Sequence, residues 1–193
     1  MNATATAAVN PAPASNSDEA AEYIWNNHFD KPTLVVSRER VGVQYDALKA
    51  GLGDAHIHYA VKANPAPEII RLLVERGSGF DAASRQEIEL CLSQGADPAT
   101  ISFGNTIKRG VDIAFAHSIG VTLFAADCEA ELDKIAAHAP GARVYIRLIV
   151  ENSLADWPLT RKFGCADTLL PSLLDYTKSV GLVPPCRVAD PQS

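Results

Sequence analysis

The sequence predicts an α/β fold built on a parallel sheet, and three observations predict it. Short apolar segments recur near His56, Gly79, Ile101, Val121 and Arg143, at spacings of 23, 22, 20 and 22 residues. Each of the first four is followed by a stretch with helical apolar spacing that closes on glycine, at Gly77, Gly95, Gly120 and the Pro140-Gly141 pair. The strands are short apolar runs, as parallel strands covered by helices must be. Alternation at this period means βαβ units. Five units fit either a barrel that would normally have eight or an open doubly wound sheet. No G-x-G-x-x-G follows the first strand, which weakens the dinucleotide-binding version.

Taken in order, residues 1–17 are mostly Ala, Thr, Pro, Asn and Ser, and read as a disordered tail. Residues 20–29 carry Ala21, Ile24 and Trp25 and read as a short helix. Thr33-Leu34-Val35-Val36-Ser37 reads as a strand, and residues 41–52 as a helix ended by Gly51 and Gly53. His56-Ile57-His58-Tyr59-Ala60-Val61-Lys62 is the first strand of the repeat, with Ile57, Tyr59 and Val61 on one face and His58, Ala60 and Lys62 on the other. Asn64-Pro65 reads as a helix N-cap followed by proline in the first turn. Residues 169–180 form a fifth helical pattern, and Gly181-Leu182-Val183 leads toward a sixth strand. Pro184, Pro185 and Pro191 then exclude an inner strand. The expected organisation is therefore a tail (1–17), one domain (18–183) and a tail outside the pattern (184–193).

Composition narrows the function. The 193 residues are 47% hydrophobic and 21% charged, an ordinary soluble balance. A formal net charge of −6 and the lack of any basic run argue against a nucleic-acid surface. No apolar run approaches the roughly 20 residues of a membrane span, and no signal-peptide pattern opens the chain. Cys91, Cys128, Cys165 and Cys186 are widely spread, without C-x-x-C or metal-ligand spacing. They read as reduced thiols in a cytoplasmic protein, with no metal site.

Charge at the strand ends points to chemistry. Lys62, Asp81 and Arg147 fall at or near strand C-termini, where barrel enzymes place their reactive groups. An ammonium at the end of an apolar strand is costly to bury, and once desolvated it loses its proton more readily. A neutral lysine amine forms a Schiff base with a carbonyl. A neighbouring carboxylate and cation could fix the protonation state of such a group. The plainer alternatives are a lysine emerging into solvent and a salt-bridged structural cluster. Ser84-Arg85-Gln86-Glu87 is a capping box, which by itself accounts for both Ser84 and Glu87. His28, His117 and His138 form no constellation.

These residues also resemble a known family. Tyr59-Ala60-Val61-Lys62-Ala63-Asn64 is similar to the pyridoxal-phosphate lysine motif of the alanine-racemase-fold decarboxylases acting on ornithine, diaminopimelate and arginine. Phe80-Asp81-Ala82-Ala83-Ser84, with Glu87 and Ile88, resembles that family's next block. Further blocks run from Ile101 to Lys108, through Arg147, and from Asp156 to Cys165. The resemblance covers about residues 30–183, and its last two blocks look most like ornithine decarboxylases.

The resemblance implies a TIM-type (β/α)8 barrel of the alanine-racemase/decarboxylase type, here truncated to about five βα units. It implies that Lys62 holds pyridoxal 5'-phosphate and later assists proton transfer, with Asp81, Glu87 and Arg147 lining the cofactor pocket. The implied reaction is decarboxylation of a small basic amino acid, ornithine to putrescine first, with lysine, diaminopimelate and arginine behind. Family members are longer. Their sixth-strand histidine, glycine-rich phosphate loop, acidic partner of the pyridine nitrogen and C-terminal β-domain cannot be placed here. A truncated gene, a frameshift or an incomplete gene model would each produce such an ending. The expectation is a chain with little activity alone, for which the family homodimer is questionable. Two other readings stay open: a non-catalytic regulator binding a protein partner, like the antizyme-inhibitor relatives, and another Schiff-base barrel such as an aldolase.

Overall fold

The structure is a computed structural model, and it describes residues 19–149 and 163–184. The expected tail at 1–17, residues 185–193 and positions 156–162 of the resembling block lie outside the described residues.

Helix α1 (Glu19–Asn26) and helix α2 (Arg38–Leu52) precede strand β1 (His58–Ala60). Helices and strands then alternate: α3 (Pro67–Glu75), β2 (Gly79–Ala82), α4 (Arg85–Ser93), β3 (Ile101–Phe103), α5 (Gly110–Ser118), β4 (Leu123–Ala126), α6 (Glu129–His138), β5 (Arg143–Ile146) and α7 (Leu170–Ser179). The five strands are parallel and lie in sequence order, β1-β2-β3-β4-β5. From α2 to α7, each helix packs on the next. A doubly wound sheet reverses its strand order at a switch point and puts helices on both faces. An unreversed order with one run of helices is the barrel arrangement, so the structure decides between the two alternatives.

Period-two alternation builds the core. Phe80 and Ala82 on β2, Phe124 and Ala126 on β4 and Val144 on β5 are fully buried. They meet Ile70 and Leu73 of α3, Ile88 of α4, Ile113 of α5, and Leu132 and Ile135 of α6 in one cluster. Burying a side chain of this size is worth about 1.5–3 kcal/mol. Asp81, between Phe80 and Ala82, is therefore turned to the opposite face. The glycines expected to close the helices take positive φ: +75° at Gly77, +93° at Gly95, +100° at Gly120 and +74° at Gly141.

Three expectations shift. Residues 33–37 form no strand; the segment runs into α2, where Ser37 is the N-cap and accepts a hydrogen bond from the Arg40 amide. The segment pairs with no strand among the described residues and Leu34 stays 82% exposed, so β-propensity alone does not make a strand. Asn64-Pro65 is not the cap of α3: Ala66 is, with Pro67 in the first turn. Asn64 instead accepts the Ala66 amide at 3.0 Å in an Asx turn. Val61 and Lys62 lie in a single 3₁₀ turn just after β1 rather than within it.

The sixth strand begins as expected. Val183 bridges Arg143 in parallel, accepting the Val144 amide at 2.8 Å and donating to the Ala142 carbonyl at 2.9 Å.

Candidate active site

The strand C-termini gather the charged residues. Lys62 is presented by the turn after β1. Val61 is fully buried beneath that turn, and the Tyr59 hydroxyl ties it to the next loop by donating to the Asn64 carbonyl at 3.3 Å. The Lys62 side chain is exposed, and among the described residues it forms no hydrogen bond or ion pair. The desolvation expected from the strand pattern is therefore not supplied by the described residues. The turn interrupts the strand alternation after Ala60 and leaves the side chain exposed.

The register pairs Ala60 with Asp81 and Asp81 with Ser102. Asp81 is half-buried, and its Oδ1 accepts the Ser102 hydroxyl at 2.7 Å and the Tyr145 hydroxyl at 3.4 Å. Gly104, two residues past Ser102, has no side chain to occupy the space taken by the Asp81 carboxylate; a Cβ there would overlap it. Burial, reinforced by the Asp81 charge, pushes the Tyr145 phenol up to about 12.

Glu87 serves the capping box, with one difference from the expected geometry. Ser84 Oγ accepts the Glu87 amide at 3.2 Å, while the Glu87 carboxylate accepts the Ala83 amide at 2.6 Å rather than that of Ser84. Arg147 follows β5. Its amide donates to the Ala126 carbonyl and its carbonyl accepts the Cys165 amide, each at 2.9 Å. The exposed guanidinium lies 5.6 Å from the centre of the Phe163 ring. Asp127, at the end of β4, holds this neighbourhood by accepting the Gly164 amide at 2.8 Å.

The salt-bridged cluster weighed from the sequence is not what forms: among the described residues no ion pair joins Lys62, Asp81 and Arg147. Asp81 is held by hydroxyls and Arg147 by an aromatic ring. Sequence reasoning missed Ser102 and Tyr145, and it missed a buried ion pair behind the site. There the Lys108 ammonium, fully enclosed, contacts Glu131 at 2.9 Å and donates to the carbonyls of Ala125 at 2.6 Å and Asn105 at 2.8 Å. An apolar residue on the helix side of β3 followed by polar Ser102 was the available signal for the serine; nothing in the local sequence marks the others.

No group of three or more potential metal ligands occurs among the described residues, and no helix among them is long and apolar enough to cross a membrane. The described cysteines Cys91, Cys128 and Cys165 are free thiols. A hollow of about 660 Å3 lies along the outer edge of β1, lined by Val35, Val41, Tyr45, Leu48 and Tyr59; it adjoins the Lys62 turn but does not include Lys62.

The described residues thus form a parallel, barrel-type α/β sheet with Lys62 in the turn after its first strand and Asp81 and Arg147 at or near the ends of two others. The pyridoxal-binding domain of pyridoxal-dependent decarboxylases matches residues 38–183, and the chain belongs to that family. Its cofactor is pyridoxal phosphate. The chain is 36% identical to the lysine/ornithine decarboxylase of Selenomonas ruminantium over 151 residues, 78% of this chain and 38% of that protein. It is 35% identical to antizyme inhibitor 2 of Xenopus laevis over 124 residues, 64% of this chain and 27% of that one. The solved structure of SrLDC in complex with pyridoxal phosphate and cadaverine superposes with a TM-score of 0.73 at 32% identity, covering 86% of this chain and 42% of that one. The chain thus spans about two fifths or less of the length of these relatives.

Proposed function

We propose that this chain is the cofactor-holding part of a decarboxylase of basic amino acids, with ornithine as the leading substrate. The observation that carries the reading is the Lys62 amine, set at the C-terminal end of the sheet with no partner among the described residues. An unengaged amine, a carboxylate at Asp81 and a guanidinium at Arg147 make a donor set that fits pyridoxal phosphate: an amine for its aldehyde and a cation for its anionic groups. When bound, the cofactor supplies the electron sink that lets an α-carboxylate leave as carbon dioxide. Lys62 would hold the group through Nζ and is placed to take up or give a proton at that atom. Asp81 presents a carboxylate on the adjacent strand, and its Oδ2 has no hydrogen bond among the described residues. Glu87 acts at one remove, because its carboxylate is spent on the Ala83 amide at the start of α4. The similarity to a lysine/ornithine decarboxylase supports a basic substrate.

We further propose that the 193 residues alone turn over little substrate. Lys62 is exposed, and the described residues do not exclude water from it, which decarboxylation chemistry requires. A second reading, a regulator that binds a protein partner, is favoured by the similarity to antizyme inhibitor 2.

The test mixes the chain with pyridoxal phosphate, follows visible absorbance, and traps the adduct with borohydride for mass mapping. The expected result is a stoichiometric adduct on Lys62, lost in Lys62→Ala, with carbon dioxide release from ornithine or lysine near background. Rapid carbon dioxide release would overturn the low-turnover proposal. No adduct, together with capture of a protein partner, would move the assignment to the regulator.

A further inference from the structure

We infer that Ser102 and Tyr145 are positioning residues that hold the Asp81 carboxylate in place on the strand next to the one that leads into the Lys62 turn. The inference deepens the proposed cofactor role and rests on it. Both hydroxyls donate to the same oxygen, Oδ1, at 2.7 Å and 3.4 Å, which fixes the carboxylate's rotation and leaves Oδ2 for the site. The two donors come from different strands. Ser102 is the register partner of Asp81 on β3 and is buried. Tyr145 belongs to β5, three strands away, which is about 14 Å on a flat sheet. Its contact with Asp81 crosses the concave side of a curled sheet, so curvature itself is recorded in this bond. Gly104 completes the cradle, because any Cβ at that position would push the carboxylate away. Tyr145 remains a neutral donor through the physiological range, since burial and the Asp81 charge hold its proton. The Ser102 hydroxyl also lies 3.4 Å from the Phe80 carbonyl, a longer contact than the one to Asp81, so the carboxylate is its main acceptor.

The experiment uses the full 193-residue chain and four substitutions: Ser102→Ala, Tyr145→Phe, Ser102→Thr and Asp81→Asn. Thermal unfolding checks that each variant folds, and Tyr145→Phe keeps the ring and its packing in any case. The readouts are the pyridoxal phosphate concentration that half-saturates the visible absorbance and the fraction of Lys62 trapped by borohydride. Losing both hydroxyls is expected to weaken adduct formation roughly tenfold, the effect of hydrogen bonds to a charged group. Ser102→Thr, which keeps a hydroxyl, is expected to stay close to the unsubstituted chain. Placed on top of Asp81→Asn, the two hydroxyl deletions are expected to add nothing, because they act through that carboxylate. Unchanged adduct formation in the double variant, or a loss that adds in full to that of Asp81→Asn, overturns the inference. If the unsubstituted chain forms no adduct, the cofactor reading fails by itself. The ¹³C carboxyl resonance of Asp81, measured without cofactor, then decides the positioning: it moves in Ser102→Ala and Tyr145→Phe if they hold the group, and a resonance that stays still sinks the idea.

Discussion

At the residue scale, burial decides which groups can react. Cys91 lies fully inside the core on α4, whereas Cys128 is exposed at the start of α6. Burial, aided by the charge of Glu87, pushes the Cys91 thiol up to about 12. A proton held more tightly in the folded state gives stability that is complete below the unfolded thiol's value, about 8.5, and is lost as pH climbs toward the folded one. The urea midpoint should therefore fall between about pH 9 and 12, and fall less steeply in Cys91→Ala. Tyr145, also raised to about 12, adds to the loss with the same sign. A chain whose midpoint is flat across that range would contradict the assignment. At pH 8, a thiol reagent followed by peptide mapping should modify Cys128 well before Cys91 or Cys165. Lys62, Asp81 and Arg147 stood out in the sequence as candidates because a charge at the end of an apolar run is anomalous by itself. Ser102 and Tyr145 were passed over: alternation can assign each a face, but their shared contact with Asp81 depends on register and curvature, which no local pattern encodes.

At the scale of elements, the loop after β3 is fastened from behind. Glu131 of α6 accepts the Lys108 amide at 3.2 Å and pairs with the Lys108 ammonium, and its other oxygen meets Lys134. Lys134 also donates to the Lys108 carbonyl at 2.7 Å. This ties residues 104–108, and with them Gly104, to α6 and the end of β4. Burial drives the Lys108 ammonium down from its ordinary range, and the bond to Glu131 opposes that. Removing one member of a buried pair strands the other, so Glu131→Ala should cost about 3–5 kcal/mol in chemical unfolding. Lys178→Ala, from the exposed pair with Asp175, should leave the midpoint unchanged. Equal effects from the two substitutions would refute the distinction. The helices and their glycine stops were legible because apolar spacing and positive φ are local properties. The misread strand at residues 33–37 shows the limit: a strand is defined by a neighbour, and a sequence window shows none.

At the scale of the whole molecule, protection should grade from the middle of the sheet outward. Strands β2, β3 and β4 are paired on both sides and packed under helices, whereas β1 pairs only with β2 among the described strands. Helix α1 carries Tyr23, Ile24 and Trp25 about half exposed. Amide hydrogen exchange should be slowest in β2 to β4 and fastest in α1. Exchange in α1 as slow as in β3 would show the gradient to be wrong. The repeat of about 22 residues made this architecture readable, since each unit restates the last. Periodicity alone left barrel and doubly wound sheet open; the family resemblance pointed to the barrel, and the order of the strands in space agrees.

That order also bears on how the chain is made. His58 meets Gly79, Phe80 meets Ile101, Ser102 meets Leu123, and Leu123 meets Arg143. Each strand finds its partner in the one just before it, so none must wait for a segment not yet synthesised. Loop closure is short at every step, and the sheet can grow on the ribosome in the direction of translation. The Asp81 cradle is the exception. Ser102 arrives one unit after the carboxylate, but Tyr145 comes from β5, so the site is set only when the last of the five strands has docked.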